Sequence, residues 1–245
     1  MLILRSTLFF LYFAVVSAVL AISYLPTLIL PRKAIVYCSR FWSRSVLFGL
    51  KWIAGLDYEV RGPVPKSGVL IAAKHMSMWD TVALYLILFD PAVVLKSGLR
   101  LIPFYGWYTW KAGSISIERD GGASTLRKMA NDAKAALAEG RSILIFPEGT
   151  RKLPGAEPDY KPGVAGLYGQ LDVPCIPVAL NSALFWSGPG GFFKRAGRVV
   201  VEFLPPIPPG LKRREFMAEL ESRIEGATAD LLVEGRNLLD GRNSR

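Results

Sequence analysis

The pattern of hydrophobic and polar positions divides the chain into two parts that meet near residue 56. The first part contains residues 8–30, a run of 23 residues without a charged side chain. A helix of that length can cross a bilayer. Beyond residue 56, short apolar runs alternate with amphipathic stretches, as in a domain of strands and helices. We therefore predict a membrane-associated helical segment over residues 1–56 and a second domain over residues 57–245.

Residues 33–54 are amphipathic rather than uniformly apolar. At 100° per residue, four basic side chains share one side of a helix: Lys33, Arg40, Arg44 and Lys51. The opposite side carries Ile35, Trp42, Val46 and Ile53. Such a helix lies in the membrane interface, or it packs its apolar side on its own domain. Either way, the two N-terminal segments form a membrane span followed by a second helix, or a hairpin that enters one leaflet.

The second part has strand-like apolar runs separated by helical patterns. The strands are predicted at residues 69–73, 92–95, 114–117, 142–146, 175–180 and 198–204. Helices are predicted at residues 78–89, 124–139 and 216–231. Strands that alternate with helices indicate an α/β fold. We expect a mixed, largely parallel sheet flanked by helices.

The distribution of charge along the chain helps to decide which kind of partner the protein binds. The net charge is +10, which alone is compatible with nucleic acid, an anionic membrane or an acidic substrate. Residues 1–56 hold six basic residues and no acidic one, whereas the remainder holds 24 basic and 20 acidic residues. The excess in an apolar segment favours an anionic membrane over nucleic acid. If the first helix spans the membrane, Arg32 and Lys33 place the second domain in the cytoplasm, and a cleaved signal peptide is the alternative.

The chain lacks the signatures of several common sites. His75 is the only histidine, which excludes zinc sites that need two. Cys38 and Cys175 form neither a metal-binding spacing nor a disulfide framework, which fits a reducing compartment. The chain has no G-x-S-x-G elbow, no G-x-x-x-x-G-K-[ST] loop and no G-x-G-x-x-G motif. We therefore predict no metal site and no bound cofactor.

His75 and Asp80 lie five residues apart, in the stretch KHMSMWDT. On a regular helix their side chains would point about 140° apart and could not meet. They can meet if His75 lies in the loop after strand 69–73 and Asp80 in the first turn of the next helix. The carboxylate would then fix the tautomer of the imidazole and leave its other nitrogen to act as a base. A histidine with a purely structural role is the alternative. Ser77 is too close in sequence to serve as a triad nucleophile, whereas a more distant serine remains possible.

A second group of candidate residues follows the strand at 142–146. The sequence there reads FPEGTR and supplies Glu148, Gly149, Thr150 and Arg151. Ligands bind at the carboxyl ends of strands in open α/β sheets. Gly149 lets the backbone approach a ligand, and the guanidinium of Arg151 suits a phosphate.

Two further basic residues, Arg119 and Lys161, resemble Arg151 in their position along the sequence. Each follows a predicted strand, Arg119 in IERD and Lys161 in YKPG. Taken singly, each is compatible with a solvated surface charge. Together with Arg151, on the edge of the sheet that presents His75, they predict an anion-binding site.

These blocks resemble the glycerolipid acyltransferase family, most closely the bacterial 1-acyl-sn-glycerol-3-phosphate acyltransferases. The resemblance covers roughly residues 60–205 and carries four blocks in order: His75 to Asp80, Glu118 with Arg119, FPEGTR, and VPCIPVAL at 173–180. Lys74 stands where the family often has asparagine, and Glu118 where aspartate is commoner. The family implies a glycerolphosphate-acyltransferase-like fold.

The resemblance also implies a reaction and a role for each block. His75 would be the general base that deprotonates the free sn-2 hydroxyl of 1-acyl-glycerol-3-phosphate, with Asp80 orienting it. The hydroxyl would attack the thioester of acyl-coenzyme A or acyl carrier protein, without an acyl-enzyme, and give phosphatidic acid. Arg119, Arg151 and Lys161 would hold the phosphate. Glu148, Gly149 and Thr150 would shape the acceptor site.

The expected partners follow from that reaction. They are a lysophospholipid acceptor, acyl-coenzyme A or acyl carrier protein as co-substrate, and an anionic membrane. Nucleic acid and cofactors are not expected. We expect a bacterial inner-membrane protein whose active site faces the cytoplasm. The alternatives are acylation of lyso-ornithine lipid or another lysophospholipid, hydrolysis of an acyl thioester, and lipid binding without catalysis.

Overall fold

A seven-stranded mixed sheet is the centre of the fold. The computed structural model describes residues 1–118, 122–187 and 191–243. Within these ranges the strands are β1 (Leu56–Arg61), β2 (Leu70–Ala73), β3 (Ala92–Lys96), β4 (Ile115–Ile117), β5 (Ile143–Ile145), β6 (Cys175–Leu180) and β7 (Gly197–Phe203). Their order in the sheet is β1-β7-β6-β2-β5-β3-β4. Neighbours are parallel except β6 and β7, which run antiparallel.

Helices cover both faces of the sheet. They are α1 (Leu2–Ser23), α2 (Arg32–Gly49), α3 (Met78–Ile87), α4 (Tyr105–Lys111), α5 (Gly122–Ala138), α6 (Gly163–Leu171) and α7 (Arg213–Asn243). Successive strand residues face opposite sides. Ile71 therefore packs in a cluster with residues of α1, α2 and α3, whereas its neighbour Leu70 packs with residues of α5, α6 and α7.

The mixed, largely parallel sheet predicted from the sequence is confirmed. Each predicted strand is present, with ends that shift by at most one residue. The pattern did not predict β1, α4 or α6. β1 reads LDYEVR and is an edge strand with polar side chains, and α6 contains three glycines, which lower its helix propensity.

The predicted N-terminal segment consists of two helices that pack on each other. α1 has 22 residues and is therefore about 33 Å long, close to the thickness of a bilayer core. Among the described residues, it is the helix whose length and composition allow it to cross a membrane. Most of its apolar side chains are exposed, as at Val15 and Val19, while Phe9 is buried in the same cluster as residues of β6 and β7.

The apolar side of α2 packs on the protein itself, which is the second of the two alternatives drawn from its pattern. Ile35 and Val46 are fully buried. Arg40, predicted on the basic side of the helix, donates a hydrogen bond to the carbonyl of Leu86 at 2.9 Å. A different side of α2 and of the π-helical turn that continues it (Leu50–Ala54) exposes four aromatic residues: Tyr37, Phe41, Phe48 and Trp52. We call it the exposed aromatic side of α2.

Candidate active site

The connection between β2 and α3 places the two candidate catalytic residues. β2 ends at Ala73 and α3 begins at Met78, so His75 lies in the loop between them. Ser77 caps α3, because its hydroxyl accepts the backbone N–H of Trp79 at 3.2 Å. Asp80 completes this capping box by accepting the backbone N–H of Ser77 at 2.8 Å. The helix start therefore fixes the position of the Asp80 carboxylate.

His75 and Asp80 form a direct contact. Nδ1 of His75 lies 3.0 Å from Oδ2 of Asp80, as the spacing argument requires for a junction between loop and helix. Asp80 is fully buried, whereas the His75 side chain is 13% exposed. The imidazole stacks on the Phe146 ring, with 4.1 Å between centroids. One ring nitrogen is thus held by the carboxylate, which leaves Nε2 as the nitrogen that can accept a proton.

Two serine hydroxyls hold the other carboxylate oxygen. Ser182 donates to Oδ1 of Asp80, and Ser77 lies 3.4 Å from the same atom. The two hydroxyls are also hydrogen-bonded to each other at 2.9 Å. Ser182 was not predicted from the sequence. Its signal was its position directly after β6, on the same edge of the sheet as His75.

The FPEGTR loop lies against the His75 loop because β2 and β5 are parallel neighbours that end side by side. The backbone N–H of Lys152 donates to the carbonyl of His75 at 2.9 Å. Gly149 has a φ of +61°, a left-handed conformation that favours glycine. Gly149 and Thr150 are exposed at the tip of the loop, where they can face a ligand.

Glu148 points inward rather than towards solvent. Its side chain is fully buried, and Oε1 lies 2.8 Å from Nζ of Lys74. The same ammonium contacts Oε1 of Glu225 on α7 at 2.7 Å. Burial raises the pKa of Glu148, and the Lys74 ammonium opposes that shift. From the sequence, Lys74 was only a departure from the family pattern, and Glu225 was not predicted.

The three predicted phosphate-binding cations have different surroundings. Arg151 is half-buried and lies near Tyr105, where its charge opposes the upward shift that burial gives the pKa of that phenol. Lys161 is exposed, and its Nζ lies 2.6 Å from Oδ2 of Asp159. Arg119 lies outside the described residues. Of the two described cations, Arg151 is the one that directly precedes a residue in contact with the His75 loop, Lys152.

An apolar cavity of about 400 Å³ lies between the two N-terminal helices and the sheet. Residues from α1, α2, α3 and α4 line it, including Phe13, Trp42, Thr81, Tyr85, Tyr105 and Tyr108. Of these, Thr81 is the residue that follows Asp80 in α3. Its wall suits a hydrocarbon chain better than a polar group.

Fold and site together define an α/β protein with a His–Asp dyad and a candidate anion-binding loop at the carboxyl edge of a mixed sheet. A family model described as Acyltransferase matches residues 57–181, which contain both motifs. The chain belongs to this acyltransferase family.

Similar proteins extend the match to most of the chain. The chain is 30% identical over 195 residues to 1-acyl-sn-glycerol-3-phosphate acyltransferase from Pseudomonas aeruginosa, a match covering 79% of this chain and 76% of that protein. It is 31% identical over 169 residues to 1-acyl-sn-glycerol-3-phosphate acyltransferase alpha from Mus musculus, covering 67% and 59%. The crystal structure of the 1-acyl-sn-glycerophosphate (LPA) acyltransferase PlsC from Thermotoga maritima superposes with a TM-score of 0.76 at 22% identity. That likeness covers 93% of this chain and 96% of PlsC, and it shows that the two share a fold.

Proposed function

We propose that the protein transfers a fatty acyl group from an acyl thioester to the sn-2 hydroxyl of 1-acyl-glycerol-3-phosphate, giving phosphatidic acid. The names of the similar proteins support this acceptor. The observation that carries the proposal is the contact between Nδ1 of His75 and the buried Asp80 carboxylate, on a ring that is still partly exposed. That arrangement suits a general base.

In the proposed reaction, Nε2 of His75 takes the proton of the acceptor hydroxyl while the hydroxyl oxygen attacks the thioester carbon. Asp80 stabilises the imidazolium that forms. The tetrahedral intermediate then collapses, its carbon–sulfur bond breaks, and the departing thiolate takes the proton from the imidazolium. An ester and a free thiol result. The step needs neither a metal nor a cofactor.

Direct attack, without an acyl-enzyme, is supported by the surroundings of the two serines beside the dyad and of the two cysteines of the chain. Ser77 and Ser182 direct their hydroxyls at Asp80 and at each other rather than at His75. Burial raises the pKa of both cysteine thiols, Cys38 and Cys175, which disfavours the nucleophilic thiolate.

Arg151 is the leading candidate for the acceptor's phosphate, because it is half-buried beside the His75 loop. Arg119 would join it, and Lys161 would have to exchange Asp159 for the phosphate. The apolar cavity next to Thr81 would take an acyl chain. The donor in this proposal is acyl-coenzyme A or acyl carrier protein.

We also propose that the protein works at an anionic membrane, with its active site on the cytoplasmic face of a bacterial inner membrane. Support comes from the exposed apolar residues of α1 and from exposed cations near them, Lys33 and Arg44. Arg32 contributes less than the sequence suggested, because it pairs with Asp90 at 2.7 Å.

A product assay with purified full-length protein tests the proposal. Radiolabelled acyl-coenzyme A, or acyl carrier protein in a parallel series, is supplied with 1-acyl-glycerol-3-phosphate, another lysophospholipid or lyso-ornithine lipid. We expect labelled phosphatidic acid to form fastest. His75→Ala should lower kcat by about 1,000-fold, within the range of general-base catalysis.

Each other outcome identifies an alternative. Free fatty acid without an acylated lipid would indicate a hydrolase. A different preferred lysolipid would replace the acceptor, and no turnover with intact lipid binding would indicate a binding protein. Turnover close to the wild type in folded His75→Ala would overturn the base assignment.

A further inference from the structure

Lys74 is a buried ammonium that lies directly before the catalytic histidine. Its side chain is 3% exposed, and its backbone N–H donates to the carbonyl of Val178 on β6 at 2.9 Å. An isolated ammonium in such a place would be costly, so its partners matter. They are Glu148, at 2.8 Å, and Glu225 of α7, at 2.7 Å.

Glu148 connects this ammonium to the backbone of His75. Its Oε1 contacts Lys74, while Oε2 accepts the backbone N–H of His75 at 3.4 Å. On the other side, the carbonyl of His75 accepts the N–H of Lys152 at 2.9 Å. Both polar groups of the His75 backbone are therefore held by residues of the FPEGTR loop or its next residue.

The far end of the network is fixed as well. Oε1 of Glu225 accepts the hydroxyl of Tyr160 at 2.9 Å in addition to Lys74. Tyr160 precedes α6, and Glu225 lies within the long helix α7. Lys74 thus connects the catalytic loop to two elements on the opposite face of the sheet.

We propose that Lys74 is a positioning residue for acyl transfer, which holds Glu148 so that Glu148 keeps the His75 backbone, and with it the imidazole, in place. The inference rests on the proposed function of His75 as the base. Lys74 itself does not touch the reacting atoms. Misplacing a reacting group by about 1 Å can lower the rate about 100-fold. Loss of the Lys74 contact could lower the rate by up to that factor.

The charge on Glu148 should affect how kcat depends on pH. A purely structural role of Lys74 would leave that pH dependence unchanged. The charged and titratable groups that face it are Lys74, His75 and Glu225, with Tyr160 behind Glu225. Burial raises the pKa of Glu148 and Lys74 lowers it. Removing the ammonium therefore raises that pKa further, and Glu148 stays neutral up to a higher pH. A neutral carboxyl is a weaker acceptor for the His75 N–H.

The test compares Lys74→Met, Glu148→Gln and the double variant in the full-length enzyme, with exposed Lys128→Met on α5 as the matched control. We expect Lys74→Met to lower kcat by about 10- to 100-fold with a smaller change in acceptor KM. The acid limb of its kcat profile should move to higher pH. In the Glu148→Gln background that shift should be absent, and Lys74→Met should lower kcat by no more than about threefold further.

The outcomes separate this inference from the proposed function. Folded Lys74→Met with the kcat and pH profile of the wild type overturns the positioning role while phosphatidic acid still forms. If Lys74→Met does not fold, the comparison of Glu148→Gln with the double variant decides. A further loss of about tenfold or more in kcat there would show that Lys74 does not act through Glu148. Failure of the wild type to make phosphatidic acid contradicts the proposed function instead.

Discussion

The carboxylate of Asp80 has two structural roles, which are to end the loop and to start α3. In the proposed mechanism it also orients His75. Oδ2 accepts the backbone N–H groups of Met76 and Ser77 at 2.6 and 2.8 Å, which ends the loop and starts α3. The same atom contacts Nδ1 of His75. The hydrogen bonds that cap the helix therefore also fix the orientation of the proposed base.

Replacing Asp80 by asparagine separates these tasks. The amide oxygen can still accept the backbone N–H groups and the His75 N–H, but its neutral group no longer stabilises an imidazolium. We expect Asp80→Asn to lower kcat by about 100-fold or more and to leave the fold intact. Steady-state kinetics and thermal unfolding measure the two effects. Ser182→Ala, which keeps the charge, should cost less than about tenfold. A folded Asp80→Asn enzyme with the kcat of the wild type would contradict the orienting role.

The sequence predicted the contacts that are local and missed those that are not. His75 and Asp80 were placed correctly because a strand end, a capping motif and a spacing of five residues determine their geometry. Ser182 is 102 residues from Asp80, and Glu225 is 151 residues from Lys74. No local pattern requires those pairs, because they depend on the order of strands in the sheet and on the packing of α7.

At the scale of elements, α2 shows why an amphipathic pattern left two alternatives. Its periodicity predicted a helix with a basic and an apolar side, and both sides exist. The apolar side is buried against α1 and α3, while exposed aromatic residues occupy a third side. The hydrophobic periodicity of a helix does not distinguish a side covered by lipid from a side covered by protein, because both surroundings are apolar.

Arg40 is the residue that joins α2 to the end of α3. Its Nη1 donates to the carbonyl of Leu86 at 2.9 Å and lies 3.4 Å from those of Tyr85 and Leu88, at the helix C-terminus. We expect Arg40→Met to lower the free energy of unfolding by about 2 kcal/mol, since charge-assisted hydrogen bonds are lost. Denaturant unfolding in detergent measures this. Arg44→Met, an exposed change on the same helix, should fall within about 0.5 kcal/mol of the wild type. Equal effects at both positions would show that the α3 contact is not the cause.

At the scale of the whole molecule, the two faces of the sheet have different surroundings. α1, α2 and α3 cover the face that carries the apolar cavity, and α5, α6 and α7 cover the other. Alternating strands and helices predicted this layered arrangement. They did not predict that β6 and β7 are the antiparallel pair. The 16 residues between the two strands show no helical pattern, which fits an antiparallel connection, but no local pattern determines which strands are neighbours in the sheet. The N-terminal helices share the first face, so the exposed apolar surface of α1 and the apolar cavity lie on the same side of the sheet.

The exposed aromatic side of α2 should contact lipid if that face docks on a membrane. Phe48 and Trp52 are 58% and 70% exposed, and their ring centroids lie 6.1 Å apart with the ring planes tilted by 47°. We expect Phe48→Ser combined with Trp52→Ser to weaken binding to anionic phospholipid vesicles by about tenfold or more, because each ring would bury much of its surface in lipid. Vesicle co-sedimentation measures the partition coefficient. Val233→Ser is the matched control, since Val233 is similarly exposed on α7, which covers the other face. Equal binding by the double variant and the wild type would show that this side of α2 does not touch the membrane, whereas an equal loss in Val233→Ser would place the contact elsewhere.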